Sequence, residues 1–147
     1  MDLTATVEVE SLPERVRIWV ADLDRYPAWL TIVSSAHAEV GSDPDAWEIE
    51  LRAKVGPLAR SKRLRMVRTV DEQCHVRFER SETDQRAHSP WVLDALLEPT
   101  KVGTRLTMGL HYGGSFGAGL FERLLADEIE TSKQTLRSLV ERDVDSP

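Results

Sequence analysis

The chain has 147 residues, 41% hydrophobic and 30% charged, with a formal net charge of −6. That is long enough for one domain with a real core, and the acidic balance argues against nucleic-acid binding, which rests on local positive charge. No apolar run approaches the roughly 20 residues that span a bilayer, the start MDLTATVEVE lacks the regions of a signal peptide, and the single Cys74 fits a reducing cytoplasm.

TATVEVE (residues 4 to 10) sets Ala5, Val7 and Val9 against Thr6, Glu8 and Glu10, the alternation of a half-buried strand. Ser11-Leu12-Pro13-Glu14 reads as a capping box, with proline tolerated in the first turn. The helix it opens places Val16, Trp19, Val20 and Leu23 on one face. Pro27 pushes Tyr26 out of the helical region, so the helix is expected to end near Asp24 or Arg25, with a second short turn from Pro27 to Leu30.

The period then changes to two. A weak strand at 33 to 40 precedes the turn Gly41-Ser42-Asp43-Pro44-Asp45. WEIELRAKV alternates cleanly, with Trp47, Ile49, Leu51, Ala53 and Val55 on one side, and Gly56-Pro57 ends it. ARSKRLRMVRTV (59 to 70) is a further strand with Leu64 and Met66 buried. Seven of the seventeen residues from Arg52 to Arg68 are basic, which the alternation assigns to the solvated face of strands.

An Asp71-Glu72-Gln73 turn leads to CHVRFERSE, where Cys74, Val76, Phe78 and Arg80 share a face, making Cys74 a small core residue. After a polar link, SPWVLDALLEP lines up Trp91, Leu93, Ala95 and Leu97, and TRLTMGLHY buries Leu106, Met108, Leu110 and Tyr112. GGSFGAG (113 to 119) is a flexible joint; lacking the lysine-serine ending, it is no phosphate loop. The last segment, about 118 to 142, is a helix of roughly 37 Å, and residues 143 to 147 are a fraying tail. The expected class is α+β: an antiparallel sheet of six or seven strands curved around the long C-terminal helix, with two short helices after the first strand, in one domain over 1–142.

VEVESLPERVRIWVADLDRYPAWL, Lys54-Val55-Gly56-Pro57, Gly103-Thr104-Arg105-Leu106 and the final helix together resemble the START-like, or helix-grip (SRPBCC), superfamily, especially its bacterial polyketide cyclase/dehydrase and lipid-transport-like branch. The resemblance covers nearly the whole chain. It implies a cavity between sheet and C-terminal helix, open near the second short helix, of the kind that holds lipids, sterols or aromatic polyketides in that superfamily. No cofactor is expected.

Inward parity nominates Trp29, Leu51, Met66, Phe78, Trp91, Leu93, Met108, Tyr112, Leu124 and Glu128 as cavity liners, with Tyr26 at the rim. Trp19, on the apolar stripe of the helix, is core. Arg80 and Arg68 continue apolar strand faces, and a buried guanidinium needs a carboxylate or a ligand. Glu128 is a candidate for that carboxylate; the alternative leaves both arginines at strand ends with covered stems and solvated heads. An acid–base site for a cyclase or dehydratase would draw on His88, Tyr112 and Arg80, whereas His75 and His111 have outward parity. No metal-ligand spacing is present. Three functions stay open: a carrier of a small hydrophobic or amphipathic ligand, a polyketide cyclase/dehydratase, and a protein-interaction domain without ligand.

Overall fold

The computed structural model describes residues 2–55, 57–113 and 120–144. Strand β1 (Asp2–Val9) is followed by helix α1 (Pro13–Val20) and a 3₁₀ helix (Leu23–Ala28). Six strands come next: β2 (Val33–Ala38), β3 (Ala46–Val55), β4 (Leu58–Glu72), β5 (His75–Arg80), β6 (Trp91–Pro99) and β7 (Thr104–Tyr112). Helix α2 (Leu120–Val144) closes the described chain. The expected joint at 114–119 and residues 145–147 of the tail lie outside the described residues.

The strands form one antiparallel sheet in the order β1-β7-β6-β5-β4-β3-β2. Consecutive strands pair through short connections, and β1 returns to the far edge beside β7. One face of the sheet is apolar, as alternation requires, and α2 covers it with Leu125, Leu136 and Val140 buried and Ile129 and Leu139 packed alongside. Two contacts tie the C-terminal half of α2 to the end of β1: Arg137 Nε donates to the Glu8 carbonyl at 3.0 Å, and the Glu10 amide donates to Glu141 Oε2 at 3.0 Å. Among the described residues no helix is long and apolar enough to cross a membrane.

Three local expectations are corrected. The capping box does not form: Leu12 is the N-cap, no side chain caps the helix, and Pro13 opens it with its preset φ. Ser11 is instead buried, its carbonyl accepting from Thr104 Oγ1 at 2.7 Å. The first helix also stops earlier, at Val20. Its last carbonyls are claimed by side chains, Val20 by the Tyr26 hydroxyl (2.9 Å) and Ala21 by Arg68 Nη1 (2.6 Å), and the chain tightens into the 3₁₀ turn that contains Pro27.

Cys74 is exposed rather than core. β4 runs on through Asp71 and Glu72, and Glu72 pairs with His75, so Gln73 and Cys74 are the two-residue hairpin turn. Inward alternation on β5 starts only after that turn, with Val76 and Phe78.

Candidate ligand cavity

The space between sheet and α2 holds two small apolar chambers. One, of about 80 Å³, lies on the β1 and β7 side against Val7, Trp29, Leu106, Met108, Ile129 and Leu136. The other, of about 70 Å³, lies on the β3 and β4 side against Tyr26, Leu51, Leu64, Met66 and Trp91. Leu30, Leu93, Leu110 and Leu125 line both, so these four side chains are the partition. Outside the second chamber, a polar cleft of about 310 Å³ runs between the start of β2, β3 and α2. Ile32 lines both that cleft and the chamber, so it is the wall between them. Thr31 Oγ1 donates to Glu128 Oε2 at this cleft, linking the loop before β2 to α2.

The 3₁₀ segment supplies the aromatic floor. Tyr26 is fully buried, its ring 4.8 Å from Trp29 and 6.2 Å from Phe78, and Phe78 meets the edge of Trp47 at 5.5 Å. Trp29 Nε1 donates to the Trp19 carbonyl at 3.0 Å, which sets that indole against the β1-side chamber. Trp19 itself is half-buried, with the Arg25 guanidinium 5.7 Å from its ring. Burial, and then the charge of Asp22, push the Tyr26 hydroxyl far above the usual phenol range, so it is a neutral donor.

Of the nominated liners, Tyr26, Leu51, Met66, Trp91 and Leu93 meet the β3-side chamber, and Trp29, Leu93 and Met108 the other. Phe78 packs beneath Tyr26 and Trp47 and lines neither. Tyr112 is buried with its ring stacked 4.9 Å from Trp91. The side chain of Leu124 lies outside the described residues.

The two inward arginines are held by carboxylates other than Glu128. Arg68 covers the Trp47 ring at 5.3 Å and pairs with Asp22 at 2.8 Å, with Asp45, and with Asp71 at 3.7 Å. Arg80 pairs with Glu82 at 2.9 Å and donates to the Ser89 carbonyl at 3.3 Å. Its Nη2 also lies 3.3 Å from His88 Nδ1, while His88 Nε2 lies 2.9 Å from both Asp84 oxygens. A hydrogen bond from the Arg86 backbone N–H, and then the one from His88, hold the Asp84 carboxyl below its usual range. The His88 chain therefore sits on the β5–β6 connection, and neither chamber is lined by it. His75 and His111 are on the convex face, paired with Asp94 and Asp2 at 2.6 and 2.7 Å.

One inward residue escaped the pattern reading. Lys62 stands opposite Leu51 in the β3–β4 register, on the same face of β4 as Leu64 and Met66, and its Nζ lies 5.9 Å from the centre of the Trp91 ring. The basic run was assigned to the solvated face with Arg68 as its inward exception, yet Lys62 is on the concave face too. Two-residue parity counted back from Leu64 would have found it.

No family model matches the chain, and no curated protein matches it either. Solved structures do. A protein from Thermus thermophilus is 18% identical with a TM-score of 0.71, over 97% of this chain and 99% of that one. A START superfamily protein from Mycobacterium smegmatis is 16% identical with a TM-score of 0.68, covering 96% and 97%. An aromatase/cyclase from a Streptomyces species is 12% identical with a TM-score of 0.69, covering 98% and 95%. A seven-stranded antiparallel sheet closed over a long C-terminal helix, with two short helices after the first strand, is the START-like, helix-grip fold.

Proposed function

We propose that the chain, as one domain over 1–142, binds a small hydrophobic or amphipathic molecule between its sheet and α2. The observation that carries this reading is the pair of apolar chambers divided by Leu30, Leu93, Leu110 and Leu125. Side chains pack native interiors to crystal-like density, and unfilled apolar space costs stability. Two such spaces behind a single leucine partition, beside a polar surface cleft, suit a cavity that opens to take a guest. Native mass spectrometry of the full chain purified from its own host tests this: a retained small molecule is expected, and its loss on Met66→Trp, which fills the β3-side chamber, locates it. Uniformly ligand-free protein that also fails to take up an added apolar fluorophore would overturn the reading.

A second reading rests on the contact chain Asp84, His88 and Arg80 at the β5–β6 connection. A carboxylate that orients an imidazole beside a guanidinium is suited to acid–base work on a polyketide-like chain, as in a cyclase or dehydratase, with Tyr112 as a further donor. On this reading His88→Ala abolishes turnover of a poly-β-ketone substrate while leaving folding and ligand affinity intact. Turnover that survives the substitution excludes His88 as its acid or base.

A further inference from the structure

The polar cleft outside Ile32, at about 310 Å³, is larger than the two chambers together. It lies where the concave face runs out to solvent. Ala53 shares the inward parity of Ile49 and Leu51 and is buried, yet it lines the cleft and neither chamber. The opening follows from strand lengths. β2 pairs with β3 only as far as Val33 opposite Leu51, and the Arg52 N–H makes one more bond, to the Ile32 carbonyl at 2.8 Å. β3 then runs on to Val55 with β4 along one edge and no strand along the other. Amide directions alternate along an antiparallel strand, so the Lys54 N–H points to the same open edge as that of Arg52.

The groups around this opening are cationic. Arg52 and Lys54 flank Ala53, line the cleft and are exposed, and neither side chain has a hydrogen-bond or ion-pair partner among the described residues. Arg60 stands opposite Ala53 in the β3–β4 register and is likewise exposed and without a partner among the described residues. By contrast Arg63, Arg65, Arg77 and Arg105, on the same sheet, are each paired with a glutamate or aspartate. The carboxylate in the cleft wall, Glu128, belongs to α2 and already accepts from the Thr31 hydroxyl. The positive charge at the mouth is therefore left unbalanced.

We propose that the cleft seats the head group of the guest and that this head is an anion, a carboxylate or a phosphate monoester. Arg52 and Lys54 hold it, and the chain behind it passes Ala53 and Ile32 into the β3-side chamber. This rests on the cavity-binding reading and adds the charge of the guest and the direction in which it lies. A guanidinium offers paired N–H donors that match two oxygens of such a head, and an ammonium adds a compact charge. The head keeps solvent on one side, so no charge has to be buried. Only the apolar chain meets the β3-side chamber, whose lining is aliphatic and aromatic.

The test titrates the full chain with octanoate, octyl phosphate, octan-1-ol, octylammonium, acetate and inorganic phosphate, followed by two-dimensional NMR of amide and indole N–H groups. The Trp91 indole is assigned by its absence in Trp91→Phe. The expected result is that an octyl anion binds about tenfold more tightly than octan-1-ol, with octylammonium weaker still. It moves the Lys54 amide and the Trp91 indole together, and its advantage narrows as salt is added. Which of the two anions leads names the head. The double variant Arg52→Gln, Lys54→Gln changes two exposed side chains, and circular dichroism checks its fold. It brings the octyl anions down to the level of the alcohol and leaves the alcohol unchanged. Equal binding of anion and alcohol, or a preference that survives in the double variant, overturns the head-group assignment while leaving cavity binding in place. Acetate or phosphate bound as tightly as the octyl anions, or a shift at Lys54 without one at Trp91, overturns the path into the chamber. Interior signals unmoved by every octyl compound overturn the cavity reading and this one with it.

Discussion

The hydroxyl of Tyr26 donates to the carbonyl of Val20 at 2.9 Å, with the tyrosine wholly buried, and so joins the 3₁₀ helix to the end of α1. Tyr26→Phe keeps the ring against Trp29 and Phe78 but leaves a helix-end carbonyl without its partner. The expected loss is about 1 to 1.5 kcal/mol, read as a lower urea midpoint at unchanged slope. A changed slope would mean that the segment is no longer docked.

Leu125 is buried on α2 and lines both chambers. Leu125→Ala is expected to cost roughly 3 kcal/mol, as large-to-small core changes do where the surroundings collapse little. It also merges the two spaces. Naphthalene, too large for either alone, should then bind more tightly than to the parent chain, measured by quenching of tryptophan fluorescence. Stability lost without that gain would mean that the helix has settled into the gap.

The hydrogen bond from Thr31 to Glu128 crosses the polar cleft outside Ile32. Thr31→Val keeps the shape and removes the donor. If this bond of about 1 kcal/mol is broken whenever a guest passes, uptake and release each quicken about fivefold while affinity stays level. Stopped-flow mixing with an apolar fluorophore separates the two rates. A change confined to release would place the bond on the bound guest's side instead.

On the convex face, Asp94 accepts from Arg77 Nε at 2.8 Å and lies 2.6 Å from His75 Nε2. Burial alone would raise its carboxyl, but the bonds from Arg77 and His75 outweigh that and hold it below the usual carboxylate range. A depressed folded value adds stability above the unfolded aspartate range, and that stability drains away as the pH falls through the folded value. Asp94→Asn should therefore cost roughly 0.5 to 1 kcal/mol at neutral pH, the small figure reflecting solvent on one side. The parent and variant urea midpoints converge in strong acid; a gap that persists there would assign the loss to packing.

The fold was legible because its signals were local and repeated. Trp47, Ile49, Leu51 and Ala53 face the core in unbroken alternation, and Trp91 to Leu97 and Leu106 to Tyr112 do the same. Ends were harder, since they depend on partners far along the chain: Arg68 takes the Ala21 carbonyl, and Thr104 takes that of Ser11. Cys74 was misplaced because a hairpin's register follows its turn, and the turn is one residue later than Asp71-Glu72-Gln73 suggested. The site was legible only as a face. Which apolar residues leave space and which fill it depends on how Leu30, Leu93, Leu110 and Leu125 meet in three dimensions, and periodicity carries no volumes.

The first strand is also the last to find its place. β1 pairs along its whole length with β7, Asp2 facing His111, and is further held by α2 through Glu8 and Glu10. During synthesis β1 has no strand partner until the chain has reached Thr104, so the sheet can grow from β2 to β6 but cannot gain its final edge before β7 is made. The β1-side chamber, walled by that strand and by α2, is accordingly the late-formed half of the interior. A ribosome-bound fragment ending before β7 would carry β1 as an unpaired ribbon, the stretch a holdase would be expected to shield.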